Sequence, residues 1–303
     1  MSGPRIILVG EGMLELSARA GGLWQMAYGG DTLNTAIHLA RAGCTVAYAS
    51  ALGSDAFSAG LREQWQAEGL DCSLLLADPA RSTGLYSISL DAAGERTFSY
   101  WRSDSAARQM FALPDSKALA QQLAQADVLG FSLISLAILP ATARHTLLEA
   151  ARAVKGRGGT VLFDGNYRPR LWQSQGEAVH LRDLAIAVAT IGLPTLDDEV
   201  ALGMPADAAA IAAHWQARGC AETVVKLGAQ GCLLPDGTLV PPSQVVQPVD
   251  TSGAGDAFNA GYLAARLSGS TAHEAALQGH RLAGWCVMRP GAIPPRDAAA
   301  PYA

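Results

Sequence analysis

The stretch "DTSGAGDAFNAG", residues 250 to 261, sets three glycines and two aspartates just ahead of small and apolar residues. Gly253 and Gly255 suit a tight turn, because glycine tolerates φ > 0 and lets another group approach the backbone. Ala257, Phe258, Ala260, Ala264 and Leu267 recur at helical spacing, so the turn opens a helix. The first N–H groups of such a helix lack partners in the chain and the helix dipole adds positive potential, a combination that suits a phosphate. Asp256 would repel that anion unless its carboxylate serves another group, such as a hydroxyl. A base beside an anion hole is the equipment of phosphoryl transfer. The plain alternative stands next to it: Asp250, Ser252 or Asp256 caps a helix.

Three further stretches gather polar residues at places where elements meet. "YGGDTLNTA", from Tyr28 to Ala36, puts two glycines and an aspartate before a helix, and reads either as a capped helix start or as a close wall for a polyhydroxyl ligand. "FDGNYRPRLW", Phe163 to Trp172, follows a buried strand and carries Asp164, Asn166, Arg168 and Arg170 at its carboxyl end, a site-like position. Arg168 offers a planar fork for carboxylate or phosphate, or pairs with Asp164, or is solvated. "VVKLGAQG", Val224 to Gly231, brings Lys226 and backbone amides near a nucleotide, or is an ordinary turn.

Other chemistry is excluded or has no residues to carry it. No GxxxxGK[ST] loop occurs, and "GEG" at Gly10 to Gly12 lacks the remaining glycine of a dinucleotide fingerprint. The five cysteines, Cys44, Cys72, Cys220, Cys232 and Cys286, are odd in number and never form a CxxC pair, which fits a reducing compartment. The six histidines have no metal-binding spacing. A net charge of −5 argues against a nucleic-acid or anionic-membrane surface while leaving room for a local basic pocket. The apolar run in "MSGPRIILVGEG" is too short for a signal core and no other stretch reaches membrane-spanning length, so a cytoplasmic protein is expected.

The elements that must position these residues follow one rhythm. "RIILVG", "CTVAYASALG", "DVLGFSLIS", "TVLFDGN", "AIAVATIGLPT" and "ETVVKLG" read as strands, and "TLNTAIHLARAG", "TARHTLLEAARAVKGRGG" and the region of "DAAAIAAHWQARG" as helices. Alternation of this kind predicts a parallel sheet covered on both faces, in one domain over residues 1–303. Two stretches, 13–30 and 82–102, break the rhythm with antiparallel strands, the second turning near Ala93 and Gly94. They are expected to form an inserted β-sheet lid over the carboxyl ends of the parallel strands, where ligands bind in open α/β sheets.

"DTSGAGDAFNAGYLA" and "GGDTLNTAIHLARAG" resemble the two signatures of the PfkB, or ribokinase-like, carbohydrate kinases, and the likeness extends along nearly the whole chain. "GEGMLELS", "ALGSDAFS", "GERTFSYWR", "SLAILP", "NYRPRLW", "TLDDE" and the tail "QGHRLAGWCVMRPGAIPPR" are similar to the bacterial 2-dehydro-3-deoxygluconate kinase branch of that family. The resemblance implies a ribokinase-like doubly wound α/β domain with a small lid, and ATP-dependent, magnesium-assisted phosphorylation of the 6-hydroxyl of a keto sugar acid. By it Asp256 matches the catalytic base, and the amides of Gly253, Ala254 and Gly255 the anion hole. Gly30, Asp31 and Asn34 match the substrate glycine motif, and Tyr86, Tyr100, Arg102 and Arg168 the surroundings of the keto acid. Asn166, Lys226, Gly228 and Gly231 match positions lining ATP, together with Gly253 and Gly255. Relatives carry an Asn-x-x-Glu metal motif; here "LDDE" has Leu196 in place of the asparagine and keeps Glu199, which leaves Glu199 an indirect link to magnesium. The resemblance also implies a dimer and leaves a monovalent cation open. A fructokinase-like neutral-sugar kinase is the second enzyme reading, separated by Arg102 and Arg168, whose charges a neutral ketose would leave unpaired. A sugar sensor without catalysis is the third, opposed by the intact Asp256.

Overall fold

The run IILV forms β1 (Ile6–Val9), buried at every position as a strand covered on both faces must be. The computed structural model, which describes residues 3–90 and 96–302, places β1 inside the main sheet. The chain then forms β2 (Met13–Ala18) and β3 (Trp24–Gly29), and returns through α1 (Asp31–Arg41), β4 (Val46–Gly53), α2 (Ala56–Ala67) and β5 (Leu75–Asp78). It departs a second time as β6 (Gly84–Leu90) and β7 (Arg96–Trp101). The body resumes with α3 (Ser116–Ala124), β8 (Val128–Ser132), α4 (Leu133–Ile138), α5 (Ala141–Gly156), β9 (Thr160–Asp164), α6 (Gln175–Val188) and β10 (Ile191–Gly192). After α7 (Leu196–Ala201), α8 (Ala208–Ala217) and β11 (Glu222–Thr223) come β12 (Val225–Lys226), β13 (Cys232–Leu233) and β14 (Leu239–Val240), and last α9 (Ala254–Leu267) and α10 (Ala272–Val287).

Seven strands pair in the order β11-β10-β9-β8-β1-β4-β5, all parallel. Ile7 and Val9 enter one apolar cluster with Leu147 and Phe163, while Ile6 and Leu8 enter another with Leu33, Trp65 and Phe258, so both faces are covered as the alternation predicts. The order reverses between β1 and β8, and ligands bind at such a switch point beyond the carboxyl ends of the strands. Among the described residues no helix is long and apolar enough to cross a membrane.

The two inserted stretches join in one four-stranded sheet, β3-β2-β6-β7. Each pair that is contiguous in sequence is antiparallel, but the seam between β2 and β6 is parallel, contrary to a purely antiparallel reading. The turn at Ala93 and Gly94 lies outside the described residues. Two strand readings need correction. The first four residues of "AIAVATIGLPT" complete α6, whose apolar residues face the core at helical spacing, and only Ile191–Gly192 is strand. "ETVVKLG" divides: β11 ends the main sheet, whereas β12 turns into a separate antiparallel sheet with β13 and β14.

Candidate active site

A cleft of about 2210 Å³ opens where the carboxyl ends of the parallel strands meet the inner face of the four-stranded sheet. Asp256 lies in its wall, in the first turn of α9. The cap position of α9 is Gly253, in the left-handed region at φ 70°, which has no side chain to cap with; Asp256 stands inside the first turn of the helix, and the Asp250 carboxylate accepts from the amides of Ser252 and Gly291, each at 2.8 Å. Only glycine fits at 253: a Cβ there would lie 2.5 Å from the Cβ and 2.8 Å from the Cα of Ala292. Gly255 differs from expectation, since it is helical and has only the Lys226 ammonium within 3.5 Å of where a Cβ would stand. The Gly255 amide stands in the first turn of α9 at a residue of the cleft wall, whereas the Ala254 amide already donates to the Thr251 carbonyl at 3.3 Å.

The Asp256 carboxylate accepts a hydrogen bond from Asn34 Nδ2 at 2.7 Å. Burial pushes its pKa up to about 8, the nearby Asp31 charge adds to this, and the Asn34 bond and Lys226 oppose it. Asp31, just after the close approach at Gly30, accepts from Asn166 Nδ2 at 3.2 Å, and burial likewise raises it. Asn166 thus touches a residue from the expected sugar side, although its motif placed it with the nucleotide. Behind the start of α9 a closed triangle holds Lys226: its ammonium donates to Asp164 at 3.1 Å and Asn259 at 3.0 Å, and Asn259 donates to Asp164 at 2.8 Å. Sequence reasoning missed Asn259. The signal was present, because Asn259 stands three residues beyond Asp256 on the same helix.

From the four-stranded sheet, the Tyr86 hydroxyl donates to Glu15, and its ring stacks on Tyr100 with centroids 6.0 Å apart. Arg102, just past β7, donates through Nε to Glu11 at 2.7 Å. Arg168 donates to the Tyr167 carbonyl at 2.7 Å and to Asp198 at 3.3 Å, not to Asp164. Both arginines line the cleft already beside a carboxylate, which corrects the expectation that a neutral sugar would leave them unpaired.

Three expected residues stand apart. Gly228 and Gly231 fall outside the cleft wall, in the loop that follows β12. Glu199 is fully buried against Arg182 at 2.7 Å, and burial raises it to about 7. It does not line the cleft, so it does not fit as a direct ligand of magnesium; its Oε1 is buried without a hydrogen-bond partner among the described residues, 3.4 Å from where a Cβ on Gly165 would stand. Asp197 and Asp198, its neighbours on α7, do line the cleft, and a magnesium ion that keeps its waters and the phosphates of a nucleotide needs no more than one or two carboxylates.

A carboxylate poised at an open helix start, in a cleft at the switch point of a doubly wound sheet, defines a phosphotransferase that acts on a small hydroxyl compound. The chain matches the pfkB family of carbohydrate kinases over residues 6–299 and belongs to that family of ATP-dependent sugar kinases. It is 42% identical to the 2-dehydro-3-deoxygluconokinase of Dickeya dadantii (strain 3937), over 98% of this chain and 99% of that one. Against the 2-dehydro-3-deoxygluconokinase of Escherichia coli (strain K12) it is 41% identical, over 97% and 98%. Among solved structures, the aminoimidazole riboside kinase from Salmonella enterica complexed with aminoimidazole riboside and an ATP analog superimposes with a TM-score of 0.80 at 26% identity, covering 95% of both chains.

Proposed function

We propose that this chain transfers the γ-phosphoryl group of ATP to the 6-hydroxyl of 2-dehydro-3-deoxy-D-gluconate. The observation that carries the reading is the meeting, in one cleft, of Asp256 at the start of α9 and Arg102 at the edge of the four-stranded sheet. The full-length similarity to kinases named for that keto acid supports it. A cleft of about 2210 Å³ also has room for two substrates side by side, since single small-molecule pockets span about 300–1,000 Å³.

In this reading the ionised Asp256 takes the proton of the 6-hydroxyl as its oxygen bonds to the γ-phosphorus, and the bond to the β-phosphate oxygen breaks to release ADP. The amides at Gly253, Ala254 and Gly255 meet the charge on the transferred group, with Lys226 behind them. Magnesium carried on the triphosphate would lessen charge repulsion there, with Asp197 and Asp198 holding its waters. Gly30, Asp31 and Asn34 bind the sugar hydroxyls, while Tyr86, Tyr100, Arg102 and Arg168 surround the acid end. Asn166 lies between the two substrates.

The four-stranded sheet acts as a lid that excludes water, without which ATP would be hydrolysed instead of transferred. Its outer face exposes Trp24, Met26 and Trp101, and a second copy of the chain covers that face in a dimer. Light scattering at micromolar protein tests the dimer. ATP turnover across 2-keto-3-deoxy sugar acids, hexoses and nucleosides, with Mg²⁺ and with or without K⁺, tests the activity and any monovalent-cation requirement. Equal turnover of fructose and the keto acid would sink the substrate assignment.

A further inference from the structure

The "GEG" turn that fails as a dinucleotide fingerprint carries a fully buried acid, Glu11, beside a cleft arginine. The Glu11 side chain has no solvent exposure. It lies between β1 and β2 and touches each of the other three crossings between the body and the four-stranded sheet. At the crossing from β3 to α1, a Cβ on Gly30 would come within 2.2 Å of the Glu11 carbonyl oxygen. At the crossing from β5 to β6, a Cβ on Gly84 would come within 2.5 Å of Glu11 Oε1. At the crossing after β7, Arg102 donates to Oε2 through Nε at 2.7 Å and through Nη2, and the Ser105 hydroxyl donates to Oε1.

A buried carboxylate beside a guanidinium has one obvious task, neutralising it, and one less obvious: fixing its plane. Glu11 takes the Nε and Nη2 side of Arg102, and a guanidinium has further N–H groups in the same rigid plane. Arg102 lines the cleft, so those groups are offered there with the direction that Glu11 sets. A long side chain left to itself loses rotamer entropy when it meets a ligand; one already clamped does not.

We propose that Glu11 is a positioning residue for the acid group of the substrate: its buried carboxylate clamps Arg102 so that the free edge of the guanidinium meets the substrate carboxylate, which gives the cleft its preference for sugar acids over neutral sugars. The proposal rests on the reading of Arg102 as the contact for that carboxylate.

Steady-state kinetics of Glu11→Gln, Arg102→Ala and the double variant test it, with 2-dehydro-3-deoxygluconate, fructose and ATP each varied. Glu11→Gln is expected to raise KM for the keto acid roughly tenfold, the scale of one charge-assisted hydrogen bond, with kcat changed less than about threefold and KM for ATP and fructose held. The double variant should match Arg102→Ala alone, because residues that act through one contact are not additive. Ser105→Ala, a milder change to the same carboxylate, should raise the keto-acid KM about two- to threefold, and it decides the matter if Glu11→Gln does not fold. An unchanged keto-acid KM in Glu11→Gln, or in Ser105→Ala where that variant decides, overturns the proposal, as does a double variant whose effects multiply. If Arg102→Ala itself leaves the keto-acid KM unmoved, the carboxylate contact and the proposal both fall; if Arg102→Ala raises it and Glu11→Gln does not, only the positioning role falls.

Discussion

Asn34 Nδ2 lies 2.7 Å from Asp256 Oδ2, so the first turn of α1 is tied to the first turn of α9 through the group assigned as the base. The Asn34 oxygen is buried without a hydrogen-bond partner among the described residues, which leaves this bond as the amide's anchor. With Oδ2 held, Asp256 keeps Oδ1 for a substrate hydroxyl.

Asp256→Asn should lower kcat by roughly 10²- to 10⁴-fold, the range expected for loss of a general base, with ATP and keto-acid binding retained in calorimetry. The amide preserves size and can still bond Asn34. Near-normal turnover in the folded variant would reduce Asp256 to a structural residue.

The pH dependence has a defined sign. Asp256 is raised to about 8 from an ordinary 3.8, so the free enzyme holds a proton there at neutral pH and kcat/KM should climb as pH approaches 8. Stability should move the other way. Above about pH 4 the unfolded carboxylate has lost its proton while the folded one keeps it, so unfolding free energy falls as pH rises towards 8. Glu199, raised to about 7 from 4.5, adds the same sign at lower pH and is unaffected by Asp256→Asn. Denaturant titrations should therefore show that variant losing less stability than wild type across the span from about pH 4 to 8, since Glu199 contributes equally to both.

Gly253→Ala and Gly255→Ala should separate. The first forces a side chain to φ 70° and into the Ala292 backbone, so a loss of about 1 to 3 kcal/mol and a collapse in turnover are expected. The second meets only the far end of Lys226 at 3.5 Å, in a helix, and should fold normally. Melting temperature and kcat of the pair read this directly; equal effects would contradict the geometry of the turn.

Arg102→Ala should weaken keto-acid kcat/KM by roughly 10- to 100-fold, as expected from a charged hydrogen bond worth about 1.5 to 3 kcal/mol, with little change in ATP affinity. Amide exchange in 84–90 and 96–101 should slow on adding the keto acid to wild type and respond less in the variant. Identical exchange with and without the acid would remove lid closure from the mechanism.

Much of this was legible in the sequence because local pattern and global fold agree. The run at 6–9, the helix from residue 31 and the glycine turn at 253 each announce themselves within a dozen residues. What was not legible depends on partners far away. The Lys226–Asp164–Asn259 triangle draws on three separate elements: the spacing of Asp256 and Asn259 puts them on one side of α9, but no spacing rule reports the two strands that bring Asp164 and Lys226 to it. "AIAVATIGLPT" misled because a short apolar run suits a buried strand and a buried helix end alike. Glu199 is linked indirectly to magnesium by likeness to an Asn-x-x-Glu motif; the structure sets Asp198 on the cleft wall and Glu199 against Arg182, a division that the spacing does not report.

The parallel seam between β2 and β6 also governs the order of assembly. As the chain leaves the ribosome, the β2–β3 hairpin emerges with both edges unpaired; β3 stays at the edge of the finished sheet, but the β2 edge must wait for β6, whose Gly84 pairs with Met13. An open strand edge beside the exposed Leu23, Trp24 and Met26 invites a strand from a neighbouring molecule. The β6 of another copy would satisfy the same seam, so crowded refolding favours exchange of hairpins between chains, and dilute or slow synthesis favours the closed single molecule.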